Sequence, residues 1–349
     1  MTRILKNIVI GKGEEKMKLK IDKIRMGLMV CMLLFISGCN QQTEVIGEQE
    51  NTDTAQEETE NEVIEINNLD RKIQFREAPK RAVSLNQHIT EIMLALGLED
   101  SMAGTAYLDD EILPELKDEY EKVPILADEY PSQEVLLKAE PDFVYAGWES
   151  AYKEEAVGSI EELESFGIKA YLHESSNIVA PTMEDVFSDI SNIGKIFRVE
   201  DRAEELITAI KTDMNDIETK LGNIEDPVNV FVYDSGEKEP FTSAQSFLNN
   251  IITLAGGHNI FSDIEKGWAS VTWEEVVKRN PEVIVVMDYG NTTVEQKKTY
   301  LLAQPALQDV SAIKNKRFVV LPLTAGAEGI RGSQALNTLA TGFHPEKFE

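Results

Sequence analysis

Cysteine is all but missing from this chain: 349 residues contain two, Cys31 and Cys39. Both precede position 40, so no disulfide can form downstream, and the fold must rest on its apolar core, which a chain of this length can supply. Histidine is also scarce. His88, His173, His258 and His344 are the four, and no spacing among them resembles a metal cluster. Basic residues are outnumbered, 34 Lys and Arg against 62 Asp and Glu, for a net charge of −28. Such a surface repels nucleic acid and anionic headgroups, which makes DNA or RNA a poor partner. Catalytic signatures are missing too: there is no G-x-S-x-G elbow, no Walker loop and no G-x-G-x-x-G turn in the right context. The chain reads as a non-enzyme.

What is present begins at the front. Lys18, Lys20, Lys23 and Arg25 precede the apolar run Met26 to Ile36, which ends in Ser37, Gly38 and Cys39. A charged stretch, a short apolar stretch and small residues at a cleavage point make an export signal, and the apolar part is too short to serve comfortably as a permanent span. Ile36-Ser37-Gly38-Cys39 resembles the bacterial lipobox, which implies diacylation of Cys39 and a lipid-anchored product on the extracytoplasmic face of the cell membrane. The signal is expected over 1–39, with 1–16 read as a misassigned start because Met17 opens a more typical signal. Residues 40–62 follow with eight acidic residues and no basic ones, the composition of a solvated tether. Removing the leader, net +5, from the total of −28 leaves −33, so membrane attachment is expected through the lipid on Cys39 rather than a basic patch.

The body carries an internal repeat. Ser132 to Tyr145 reappears 140 residues later as Thr272 to Val285, with identities at Glu134/Glu274, Lys138/Lys278 and Pro141/Pro281 and matching apolar positions almost throughout. Each copy predicts a short helix opened by a Ser or Thr cap, stopped before a proline, and feeding a buried strand. Elsewhere strands and helices alternate. Val63 to Ile66 and Lys72 to Phe75 alternate like a hairpin, Arg81 to Leu85 is a strand entering a helix over Thr90 to Leu96, and Phe247 to Leu254 is helical. Ala203, Leu206, Ile207, Ile210, Met214, Ile217 and Leu221 recur at helical spacing and predict a bridge. The fold class is therefore α/β: two Rossmann-like lobes with central parallel sheets, over 63–182 and 223–349, joined through a helical linker over 183–222, with a ligand cleft between them at the carboxyl ends of the strands.

Together the lipobox, the acidic tether, Arg81 to Asn86, the units ending Ala139 to Val144 and Asn280 to Val285, and the turn Leu254 to Phe261 resemble the helical-backbone (class III) solute-binding lipoproteins of import ABC transporters. The likeness covers about residues 75–345. It implies two lobes on one long helix, little hinge motion, and capture by a monomer of an iron-siderophore, haem or cobalamin, which is then handed to a permease. It also implies that Glu134 and Glu274 dock into basic pockets of a permease dimer, although the first turn of a helix favours a glutamate in any case. Loops at strand ends nominate Tyr107, Trp148, Tyr152, Tyr233, Trp268, Tyr289 and Arg331 as ligand contacts, since aromatic faces suit a flat macrocycle or catecholate and an arginine suits an anionic chelate. For each aromatic, packing within its lobe is the ordinary explanation. His88 is read as ordering a strand-to-helix turn more than as a metal ligand. A bare-ion receptor and a permease-independent sensor of the same fold are the alternatives, and no resident cofactor or metal is expected.

Overall fold

The computed structural model describes residues 63–349; the export signal, Cys39 and the tether lie outside them. Among the described residues no helix is long and apolar enough to cross a membrane.

The described residues open with an antiparallel hairpin, β1 (Ile64–Asn68) and β2 (Arg71–Phe75). The first lobe follows as β3 (Ala82–Leu85), β4 (Met102–Ala106), β5 (Ile125–Ala127), β6 (Phe143–Ala146) and β7 (Lys169–Leu172). They form one parallel sheet ordered β5-β4-β3-β6-β7. Both faces of a parallel sheet are covered by its crossovers, so its strands must be apolar throughout; β3 and β6 are buried at every position. Asn68 fastens the hairpin to the sheet edge, its Nδ2 donating to Leu172 O at 2.8 Å and its Oδ1 accepting from Leu172 N at 2.9 Å.

Two helices carry the chain across, Met183–Phe197 and Glu200–Leu221. The expected linker is thus broken once, at Arg198, which sits in the left-handed region at φ 60. The second helix has 22 residues and so runs about 33 Å. Of its predicted stripe, Ala203, Ile210, Met214, Ile217 and Leu221 are buried, while Leu206 and Ile207 are half-buried. A fully buried Ile or Met of this kind stabilises by about 1.5–3 kcal/mol.

The second lobe contains β8 (Val228–Tyr233), β9 (Phe241–Ser243), β10 (Gly257–Asn259), β11 (Trp268–Ser270), β12 (Val283–Asp288) and β13 (Phe318–Pro322). Its parallel sheet is ordered β10-β8-β12-β13, and β9 pairs with β11 as a separate antiparallel ribbon. The repeat is structural as well as sequential. Ser132 accepts from Val135 N and Thr272 from Glu275 N, and both helices end in a left-handed residue before the proline, Glu140 at φ 48 and Asn280 at φ 44. Buried, half-buried and exposed positions then agree residue for residue from Ser132 to Tyr145 and from Thr272 to Val285.

Candidate functional site

The carboxyl ends of both sheets face one cavity of about 410 Å³, within the range of small-ligand pockets. Residues following β3, β4, β6 and β7 build one wall, including His88, Asp109, Trp148 and Ser176; Asp234 after β8, Tyr289 after β12 and Glu328 beyond β13 build the other. The β9–β11 ribbon supplies the apolar lip, where Trp268 stacks on Phe241 with centroids 5.8 Å apart.

The floor is a network shared by the lobes. The His88 ring is buried, 4.9 Å from that of Trp148 and 5.6 Å from that of His173. Burial first, and then His173, hold His88 well below the usual imidazole pKa, so the ring is neutral. Its Nε2 lies 3.2 Å from Ser176 Oγ, which donates to Glu328 Oε2 at 3.1 Å. His173 is fixed by Tyr145 OH, 2.6 Å from Nδ1, and by Glu328 O, 2.9 Å from Nε2. Burial lowers its pKa, opposed by Asp189. Gly147 lets the floor close: a Cβ there would lie 2.5 Å from His88 Cε1. Burial raises the Glu328 carboxyl to about 7. Burial, followed by the Asp234 carboxylate that accepts its hydroxyl at 2.7 Å, raises Tyr289 to about 12.

Of the seven nominated contacts, Trp148, Trp268 and Tyr289 line this cavity. Tyr107 is not among the lining residues, and its ring stacks on Tyr130 at 4.5 Å. Tyr152 turns inward, donating to Val144 O at 3.1 Å and Tyr171 O at 3.0 Å, and burial raises its pKa. Tyr233 packs 5.9 Å from Trp273 and 6.5 Å from Tyr300. Arg331 is spent inside the protein, on Glu91, Thr324 Oγ1 and Glu111 O. His88 lines the cavity as well as standing at the strand-to-helix turn. Gln87, Asp234 and Glu328 were not singled out by the sequence; their one signal is position just beyond a parallel strand. Glu134 and Glu274 are exposed in their first helical turns, Glu134 paired with Lys138 at 2.8 Å.

The family described as periplasmic binding protein matches residues 83–324, which take in both parallel sheets almost entirely and most of the residues that line the cavity. The chain belongs to the periplasmic binding proteins. Among relatives of this family, the ABC transporter substrate-binding lipoprotein YvrC of Bacillus subtilis is 26% identical over 335 residues, 94% of this chain and 99% of its own. A vitamin B12-binding protein of Vibrio campbellii is 28% identical over 206 residues, 59% of this chain and 70% of the relative. The crystal structure of a periplasmic binding protein from Veillonella parvula aligns with TM-score 0.75 and 34% identity, covering 81% of this chain and 98% of that one. The periplasmic binding protein family is one of solute receptors rather than enzymes.

Proposed function

We propose that this chain is the lipid-anchored, extracytoplasmic solute receptor of an ABC importer, capturing an iron-siderophore or a related chelate, haem or cobalamin, and passing it to a permease. One observation carries the reading: an aromatic-walled cavity at the carboxyl ends of two sibling parallel sheets, the place where such folds bind small ligands. The relation to YvrC and to the vitamin B12-binding protein supports the transport role and the class of ligand. The work is binding, with no covalent step. Trp148, Trp268 and Tyr289 offer flat faces to a macrocycle or chelate rim. Against the bare-ion alternative, no group of three His, Cys, Asp or Glu among the described residues could hold a metal ion.

The lobes are tied across the cleft by Glu91 with Arg331, by Ser176 and His173 with Glu328, and by Ala180 N donating to Gln245 O at 2.8 Å. Capture on such a frame needs loop and side-chain adjustment more than domain closure. Attachment is assigned to a lipid on Cys39, and docking to Glu134 and Glu274, where paired carboxylates give register and steering more than affinity.

Tryptophan fluorescence of the full chain in detergent, titrated with ferric hydroxamates, ferric catecholates, haem, cobalamin and free divalent ions, tests the ligand class. Saturable quenching by one of the first four is expected. Quenching by a free ion alone would overturn it. Replacing Cys39 with Ala is expected to release the protein from the membrane fraction.

A further inference from the structure

The charges around the cavity are one-sided. Asp109, Asp234 and Glu328 line it, and no Lys or Arg is among its lining residues. The guanidinium of Arg331, which also bonds the lining residue Thr324, is cancelled: Arg331, 8% exposed, is held in a two-pronged pair by Glu91, 1% exposed. Lys297 stands behind the wall, its Nζ donating to Asp234 O and Met287 O, both at 2.7 Å, and lying 4.6 Å from the Tyr289 ring centroid. It offsets one carboxylate, and Glu328, raised to about 7 by burial, is only partly ionised at neutral pH, so the negative balance rests on Asp109 and Asp234.

Asp234 is the informative member. It is 4% exposed, yet lines the cavity. Both of its side-chain hydrogen bonds, from Ser235 Oγ at 2.8 Å and Tyr289 OH at 2.7 Å, converge on Oδ2. Oδ1 accepts none from the described residues. Oδ1 is not closed off from the cavity, so it is available to a donor or a cation brought in by the solute. Trp148 on the facing wall, Trp268 at the lip and Tyr289, bonded to Asp234, present rings to the same cavity, and ring faces attract cations and do nothing for anions. The net charge of −28 adds a long-range field of the same sense.

From this geometry we infer that the solute held in the cleft carries a positive charge, seated against Asp234 and the tryptophan faces. The inference rests on the receptor reading above and narrows it: a cationic ferric chelate or corrinoid is accepted, and anionic catecholates and carboxylated macrocycles are rejected by unpaired like charge.

Three ferric probes decide it in calorimetric titrations of the full chain in detergent. Ferrioxamine B carries a free ammonium; its N-acetylated form has the same ferric core without that charge; a ferric tris-catecholate is strongly anionic. The cation is expected to bind at least about tenfold tighter than the acetylated form, with the anion weaker still, and the preference is expected to shrink as salt rises. Asp234→Asn should bring the cation-to-neutral ratio to about one. Asp109→Asn, at the exposed rim, should lower it partway and serves as the readout if the first variant misfolds. Equal binding of the acetylated probe, or tighter binding of the anion, overturns the inference while leaving the receptor reading intact. If no ferric probe and no corrinoid binds, the receptor reading for chelates falls. Quenching by benzyltrimethylammonium then decides the charge: its loss in Asp234→Asn upholds a cation site, and no quenching refutes it.

Discussion

Arg331 Nε donates to Glu91 Oε2 at 2.8 Å, joining two residues 240 positions apart and bolting the second lobe to the first. The pair is buried on both sides, and Glu91 Oε1 is further held by Leu113 N at 3.1 Å. Removing one partner leaves a buried charge unpaired. Glu91→Ala and Arg331→Ala are each expected to cost about 3–5 kcal/mol in urea unfolding, and Glu91→Leu with Arg331→Met to recover most of that loss. Single variants within about 1 kcal/mol of wild type would show that the pair contributes little to holding the lobes.

Glu328 ties stability to pH. Its carboxyl ionises near 7 in the folded protein against an ordinary 4.5, so between those values the native state holds a proton that the unfolded chain has released. Stability therefore falls as pH rises through this window, and the full penalty is present above about 7. Allowing for its partial exposure, the effect is about 1–3 kcal/mol. In thermal melts from pH 4 to 8, Glu328→Gln should lose less stability on the alkaline side than wild type. Parallel curves would refute the account.

Charge reversal at the lobe tips tests docking. Glu134 and Glu274 are exposed, so Glu134→Lys and Glu274→Lys should leave the melting temperature within a degree or two, as surface changes of about 0.5 kcal/mol do. In a reconstituted transporter each is expected to slow association about tenfold, with a larger effect at low salt, and the double reversal to abolish stimulation of ATP hydrolysis. Uptake indifferent to both would favour a sensor that works without a permease.

Asn86 adopts φ 86, ψ 149, a conformation close to a region populated almost only by glycine. Its amide compensates: Oδ1 accepts from Gly147 N at 3.2 Å, and Nδ2 donates to Tyr130 OH at 3.0 Å. Asn86→Ala keeps the strain and loses both bonds, so it should destabilise by about 2–3 kcal/mol. Asn86→Gly loses the bonds but relieves the strain and should cost less. The reverse order in equilibrium unfolding would mean that strain at this turn is unimportant. Because Gln87 and His88 follow directly, ligand affinity should weaken in the same order.

The sequence was most legible where the physics is local. Caps, the pre-proline stop and strand polarity in the two repeated units depend on residues within a few positions, and the structure reproduces them down to burial; the helix Phe247–Leu254 follows the same logic. The site was less legible because it is assembled from afar. Nothing near Arg331 reveals a glutamate 240 positions upstream, so a free cation was expected where a neutralised pair stands. Tyr152 and Tyr233 read like cleft aromatics because both stand near strand ends, but Tyr152 spends its hydroxyl on two backbone carbonyls and Tyr233 packs among Trp273 and Tyr300, and neither lines the cavity. The β9–β11 ribbon was missed since three-residue strands carry too little alternation to register.

No strand is traded between the two central sheets: the first is complete by Leu172, and the second begins at Val228. A nick in the backbone just after Gly222 would cut no ladder in either. Two separately encoded pieces, each carrying one entire sheet, would rejoin through the buried helix faces and the Glu91–Arg331 bolt. The molecule is thus laid out for use as a split reporter, in which a solute bridging both walls would drive the fragments together.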